Sequence, residues 1–116
     1  MATTKNEAVR SVEQLADALV DARRALRATE VAVRRGLRKV DQGSSVATAL
    51  ASAQPAETRQ TVNDALTAIE QCRHEARRKV FAVALDEGMS IGELGRAWGF
   101  SRQLASRYAR EARSGT

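Results

Sequence analysis

The sequence predicts an all-α protein with two long N-terminal helices and two short C-terminal ones. Of the 116 residues, 22 are Ala and only one is Pro, and Ala has the highest intrinsic helix propensity. Aromatic residues make up only 3% of the chain, although strands are enriched in aromatic and β-branched residues. Apolar residues recur every three or four positions over two long stretches, which is the period of a helix. An all-β barrel and a doubly wound sheet are therefore excluded.

The first predicted helix covers about residues 6–40. Its apolar stripe consists of Val12, Leu15, Leu19, Ala22, Leu26, Val33, Leu37 and Val40. Mostly charged residues fill the intervals, so the pattern predicts one apolar face for a core or a dimer and one solvated face. The helix is expected to stop at residues 41–43, just after Arg38 and Lys39, because cations suit the negative end of the helix dipole.

A short helix is predicted next, over residues 46–52, with Ser44 and Ser45 as candidate caps. The stretch Ala53-Gln54-Pro55 breaks it, and Pro55 stands where a proline best starts a new helix.

The second long helix is predicted over about residues 56–86, with Gly88 as its C-terminal cap. Its apolar positions are Val62, Ala65 or Leu66, Ile69, Cys72, Ala76, Val80 and Val83. Long helices joined by a short connection usually pack antiparallel. We therefore expect a helical hairpin over residues 6–76.

A second pair of helices is predicted after Gly88. Residues 90–93 read Ser-Ile-Gly-Glu, which is a capping box and predicts a helix start. This helix is expected to run to about Trp98 and to bury Ile91, Leu94 and Trp98. Gly99 is free to adopt a positive φ in the turn, and Ser101 is suited to cap a last helix over residues 101–113.

Residues 90–110, SIGELGRAWGFSRQLASRYAR, resemble the helix-turn-helix of small bacterial DNA-binding proteins. Gly95 matches the small residue in the middle of the family's first helix, and Gly99 matches the glycine at the turn. The family's apolar positions fall on Leu94, Trp98, Phe100 and Tyr108. Ala105 departs from the pattern, because a branched aliphatic residue is commoner there, and Leu104 beside it is expected to fill the space. The resemblance implies a protein of the transcriptional-regulator type.

The last helix has one apolar and one polar side at about 100° per residue. The apolar arc contains Leu104, Ala105, Tyr108, Ala109 and Ala112. The polar arc contains Arg102, Gln103, Ser106, Arg107, Arg110 and Arg113. Between residues 96 and 113 there are five cations and one anion, whereas residues 1–76 hold 11 cations and 10 anions. A basic face without acids is typical of a surface that meets phosphates.

The chemistry of these residues predicts their roles on DNA. Arg102 and Arg107 are suited to guanine O6 and N7, and Gln103 is suited to adenine N6 and N7. Hydroxyls and helix-start amides suit phosphate, and the remaining arginines are expected at the DNA backbone. The candidate site comprises Ser90, Arg96, Ser101, Arg102, Gln103, Ser106, Arg107, Arg110 and Arg113.

The sequence thus predicts a sequence-specific protein that binds double-stranded DNA, a transcriptional regulator. Residues 6–76 are expected to form the dimerisation hairpin, residues 77–113 the helix-turn-helix region, and residues 114–116 a tail. A homodimer through the N-terminal helices is expected, because one helix-turn-helix contacts only a few base pairs. Two alternatives stay open: a nucleoid-associated or mobile-element protein of low specificity, and an interaction module that docks on RNA polymerase or another protein.

No enzyme, cofactor or metal site is predicted. Cys72 and His74 are two residues apart on a helix, so they point about 200° from one another and cannot share a metal. No nucleophile–base pair or phosphate-cradling loop can be assembled, and no sensory domain for a small-molecule effector is evident. A secretory signal and a membrane span of about 20 apolar residues are also lacking. These features predict a cytoplasmic, nucleoid-associated protein.

Overall fold

The computed structural model of the protein describes residues 2–114, and within them the chain is all-α. Its five helices are α1 (Lys5–Asp41), α2 (Val46–Ala53), α3 (Pro55–Asp86), α4 (Ile91–Trp98) and α5 (Arg102–Ser114). Each predicted helix is confirmed, with ends within one residue of those expected. None of these helices is long and apolar enough to cross a membrane. The chain divides into two compact units, one of residues 2–15 with 71–114 and one of Ala16–Glu70.

The buried face of α1 differs from the predicted stripe. Of that stripe Ala22 is buried and Leu15 half-buried, whereas the other six residues are 42–59% exposed. A neighbouring face is covered instead, and apart from Leu15 it carries small residues: Ala8, Ser11, Leu15, Ala18, Ala22, Ala25, Thr29, Ala32 and Gly36. Small side chains let another segment approach a helix closely. The large aliphatic side chains beside that face therefore stay in water.

Gly36 shows how close this packing is within the unit Ala16–Glu70. A Cβ atom on Gly36 would lie 3.2 Å from the Cβ of Ala53 and 3.5 Å from the carbonyl oxygen of Ala49. The glycine lowers the helix propensity of α1 by up to about 1 kcal/mol relative to Ala. In return, it admits α2 against the backbone of α1.

The ends of α2 follow the predicted signals. The backbone N–H of Thr48 donates to Ser45 Oγ over 3.1 Å, which caps the helix start. At the other end Gln54 has φ 49° and its N–H donates to the carbonyl of Leu50. Pro55 then begins α3, since its missing N–H would have no partner in a first helical turn.

The covered side of α3 agrees largely with the predicted positions. Ala76 is buried, and Val62, Ala65, Ile69, Cys72, Val80 and Val83 are half-buried. Leu66 is 56% exposed, so Ala65 is the position that faces inward. Gly88, with φ 103°, ends the helix as expected. Lys5 Nζ lies 3.9 Å from Glu87 Oε2, so the first turn of α1 lies beside the end of α3.

Candidate nucleic-acid interface

The start of α4 is fixed by the predicted capping box. The N–H of Glu93 donates to Ser90 Oγ, and the N–H of Ser90 donates to Glu93 Oε1, each over 3.1 Å. The hydrogen bond from the backbone of Ser90 lowers the pKa of Glu93, and the Ser90 side chain contributes in the same direction. The carboxylate is therefore occupied in holding the helix start.

A three-residue turn joins α4 to α5. Gly99 has φ 74°, a conformation that glycine adopts without a Cβ penalty. The N–H of Phe100 donates to the carbonyl of Gly95 over 2.8 Å. Ser101 Oγ accepts from the N–H of Leu104 over 3.2 Å and caps α5. These contacts set the angle at which α5 leaves the turn.

The two helices touch through a pair of very small residues. A Cβ atom on Gly95 would lie 3.1 Å from the Cβ of Ala105 and 3.4 Å from the carbonyl oxygen of Phe100. Ala105 is fully buried, whereas Leu104 is half-buried. Ala105 itself thus makes the contact with Gly95 of α4. A larger side chain there would push α5 away from α4.

Gly95→Leu is accordingly expected to lower the free energy of unfolding by about 1–3 kcal/mol, the usual cost of overpacking. Gly92→Leu is the matched control, because a Cβ on Gly92 would find only ordinary contacts, with Arg96 Nη1 at 3.5 Å and Ser90 Oγ at 3.8 Å. Urea denaturation of both variants measures the difference. Equal stability of the two variants would contradict a tight contact at Gly95.

An aromatic cluster joins the end of α3 to this helix pair. Phe81 is fully buried, and its ring centroid lies 5.1 Å from that of Trp98, 6.4 Å from Phe100 and 6.3 Å from Tyr108. Trp98 is 40% exposed, so its predicted burial is wrong: the ring packs edge-on against Phe81 and leaves its other side in water. Leu94 is buried, and Ile91 is half-buried.

The two predicted arcs of α5 are confirmed. Ala105, Ala109 and Ala112 are buried, and Leu104 and Tyr108 are half-buried. On the opposite side the exposed residues are Arg102, Gln103, Arg107, Arg110 and Arg113, while Ser106 is half-buried. In the part of the chain that the structure describes, none of the ion pairs involves these four arginines. Their charges are therefore available to a ligand.

The structure brings five of the nine candidate residues to one concave surface: Ser90, Arg96, Arg102, Ser106 and Arg113. Gln103, Arg107 and Arg110 lie on the exposed side of α5, and Ser101 is exposed at its start. Three guanidinium groups around a concavity attract an anion. The arrangement combines that basic hollow with an exposed helix face beside it.

Tyr108 belongs to the core side of α5. The guanidinium carbon of Arg77 lies 3.7 Å from its ring centroid, and that of Arg107 lies 5.5 Å away. Both distances are within the range of cation–π attraction. Arg107 thus lies beside the ring, while its side chain stays exposed.

The three basic side chains at residues 77–79 all contact neighbouring groups of the same helix. Arg77 also donates to His74 Nδ1 over 2.7 Å. Arg78 and Lys79 lie 2.6 and 3.3 Å from the carboxylate of Glu75, and the hydrogen bond from Arg78 is the main cause that lowers the pKa of Glu75. These three side chains are therefore less available to an anionic ligand than the exposed arginines of α5.

Sequence reasoning missed Phe81 as the centre of the aromatic cluster. It lies one residue beyond the predicted apolar position Val80, which turns it about 100° from that face. The available signal was its residue type, because the chain's other aromatic residues all lie in residues 98–108.

No group of three His, Cys, Asp or Glu side chains within residues 2–114 could hold a metal ion. Comparison with protein-family models, curated proteins and solved structures finds no match to this chain.

Proposed function

We propose that this chain is a sequence-specific DNA-binding protein, a transcriptional regulator of the helix-turn-helix type that acts on the nucleoid. One observation carries the proposal: α5 buries its apolar side and presents Arg102, Arg107, Arg110 and Arg113 outward, without an ion-pair partner among the described residues. Four unpaired guanidinium groups on one short helix repel each other in the absence of an anionic ligand. Double-stranded DNA supplies such a ligand.

The dimensions of α5 fit a major groove. Its 13 residues span about 20 Å, and its outward side carries no bulky apolar side chain that would block entry to a groove about 12 Å wide. Arg102 and Arg107 reach forward for guanine edges, and Gln103 reaches for adenine. The concave surface beside Ser90 and Arg96 receives a phosphate of the flanking backbone.

The composition of the outward face separates this proposal from protein docking. Arg, Gln and Ser side chains offer donors for phosphates and base edges. A surface that docks on a polymerase would instead be expected to expose aromatic and aliphatic anchors along α5.

We further propose that the protein acts as a homodimer on a palindromic or pseudo-palindromic site. A dimer places two recognition helices one DNA turn apart, about 34 Å. The exposed aliphatic residues of α1, at 36–59% exposure, supply apolar surface for such pairing.

The test is selection of DNA from a random pool by the purified protein, followed by affinity measurement at several salt concentrations. Binding is expected to weaken with salt at a log–log slope of about −0.9 per neutralised phosphate. The selected site should bind at least about a thousandfold more tightly than random DNA. A slope near zero would rule out DNA binding. A steep slope without enrichment of a preferred sequence would favour the alternative of a DNA-binding protein with low specificity.

A further inference from the structure

An apolar surface of the unit Ala16–Glu70 has no partner within the described chain. Four residues recur at seven-residue intervals along α1: Leu19, Leu26, Val33 and Val40, here called the heptad row. Their exposed fractions are 50%, 50%, 59% and 42%. Leu37, Val46 and Leu50 adjoin the row and are 52–64% exposed, and all three line one apolar groove with Val33 and Val40.

The heptad row has the period of a helix–helix contact. A strict seven-residue repeat keeps side chains along one seam between two packed helices. Leu19 and Val40 lie 21 positions apart on α1, a distance of about 32 Å. Exposed aliphatic surfaces of this extent mark interaction sites more often than free surface.

We propose that the heptad row binds the same row of a second copy of this chain, with the two α1 helices antiparallel and the two-fold axis at Leu26. Leu19 and Val33 each lie seven residues from Leu26, so the two-fold relates them to each other. Val40 lies fourteen residues from Leu26, as Val12, which is 45% exposed, does on the other side. Leu26 then meets Leu26 of the second copy, and Leu19 faces Val33 of the second copy.

The charges beside the row select this direction. Ala16, Arg23, Glu30 and Leu37 follow one edge of the row. An antiparallel two-fold sets that edge against the same edge of the second copy, and Arg23 then lies opposite Glu30 of the other chain. Glu30 accepts hydrogen bonds from Arg27 and Arg34 of its own helix, yet 44% of its side chain stays exposed.

A parallel pair lacks this match. Its two-fold axis runs along the helices and sets the Arg23 edge against the opposite edge of the row. That edge carries Ala22, Thr29 and Gly36, which the chain itself already covers. The charges at Arg23 and Glu30 would then have no opposite charge to face.

The inference rests on the proposed function in one respect: the dimer would supply the second recognition helix for DNA. Self-association is measured without DNA, so that the two proposals fail separately. If the protein proves monomeric, the salt and selection experiment still tests DNA binding. If DNA binding fails, the measurement of self-association still tests the dimer.

Cysteine cross-linking in a Cys72→Ser background reads the direction of pairing. Leu26→Cys is expected to form an intermolecular disulfide alone, because residues near the axis meet themselves. Leu19→Cys and Val33→Cys are expected to cross-link only when mixed. In the antiparallel dimer two copies of residue 19 lie 14 residues apart along the axis, about 21 Å, beyond the Cα separation of about 7 Å that a disulfide allows. Strong cross-linking of Leu19→Cys with itself would overturn the proposal in favour of a parallel pair.

Charge reversal supplies a second measurement. Arg23→Glu and Glu30→Arg, each alone, are expected to raise the dimer dissociation constant about tenfold, because two opposite-charge pairs become like-charge pairs. An equimolar mixture of the two variants should restore the dimer, since every pair is again opposite in sign. Arg35 lies on the far side of α1, and Arg35→Glu makes the same charge change as Arg23→Glu. This variant should leave the dimer dissociation constant unaltered. A monomeric unmodified chain at tens of micromolar, or a mixture that stays monomeric, would overturn the proposal.

Discussion

Phe81→Ala is expected to lower the free energy of unfolding by about 3–5 kcal/mol, the range for truncating a buried aromatic side chain. Phe81 is fully buried and touches the rings of Trp98, Phe100 and Tyr108. Its loss leaves a cavity between α3 and the helix pair α4–α5. Small domains have total stabilities of about 5–15 kcal/mol, so the variant should unfold at a much lower urea concentration.

Two controls separate burial at this position from a general effect of truncation. Leu66→Ala removes a 56% exposed side chain from the same helix and is expected to change stability by less than about 0.5 kcal/mol. Phe81→Leu keeps most of the volume and should lose less than the alanine variant. Similar midpoints for Phe81→Ala and Leu66→Ala would contradict the central place of Phe81.

The helix boundaries could be predicted because each has its own local signal. Ser45, Ser90 and Ser101 cap helix starts through contacts three residues away. Gly88 and Gly99 end helices with positive φ. Such contacts depend on a few neighbouring residues, so they can be read from the sequence alone.

The buried face of α1 could not be predicted from hydrophobicity. The largest apolar side chains formed the predicted stripe, but the covered face carries mainly Ala, Ser, Thr and Gly. The distance between packed segments decides burial there, and only small residues permit a close approach. Gly36 was an available signal. Helix propensity alone treats it as destabilising, but a glycine inside a helix often marks a tight contact.

The apolar side of α5 and its exposed arginines could be predicted, because both follow from the helical period. The sequence could not predict that Arg96 on α4 lines one concave surface with Arg102 and Arg113 on α5, because this depends on the angle between the helices. That angle comes from the contact of Gly95 with Ala105 and from the turn at Gly99. The division between base and phosphate contacts depends on the DNA partner.

Replacing Arg102, Arg107 and Arg110 together with alanine is expected to weaken binding to the selected DNA site at least a hundredfold. Each bidentate contact to a base contributes about 1–3 kcal/mol of discrimination, and every 1.4 kcal/mol is about tenfold in affinity. All three side chains are exposed and take no part in the ion pairs of residues 2–114. Their removal should therefore cost little stability. The free energy of unfolding of the triple variant, compared with that of the unmodified protein, checks this.

The matched control removes the same charge elsewhere. Arg10, Arg35 and Arg59 are also exposed, so their triple alanine variant changes the net charge from +5 to +2, as the α5 variant does. It should keep site preference and most of its affinity, because long-range attraction is largely screened beyond about 8 Å at physiological salt. The α5 variant should also lose about 0.9 from its salt slope for each phosphate contact removed. Equal losses in the two variants would mean that binding follows net charge, and unchanged affinity in the α5 variant would place the DNA contact on another surface.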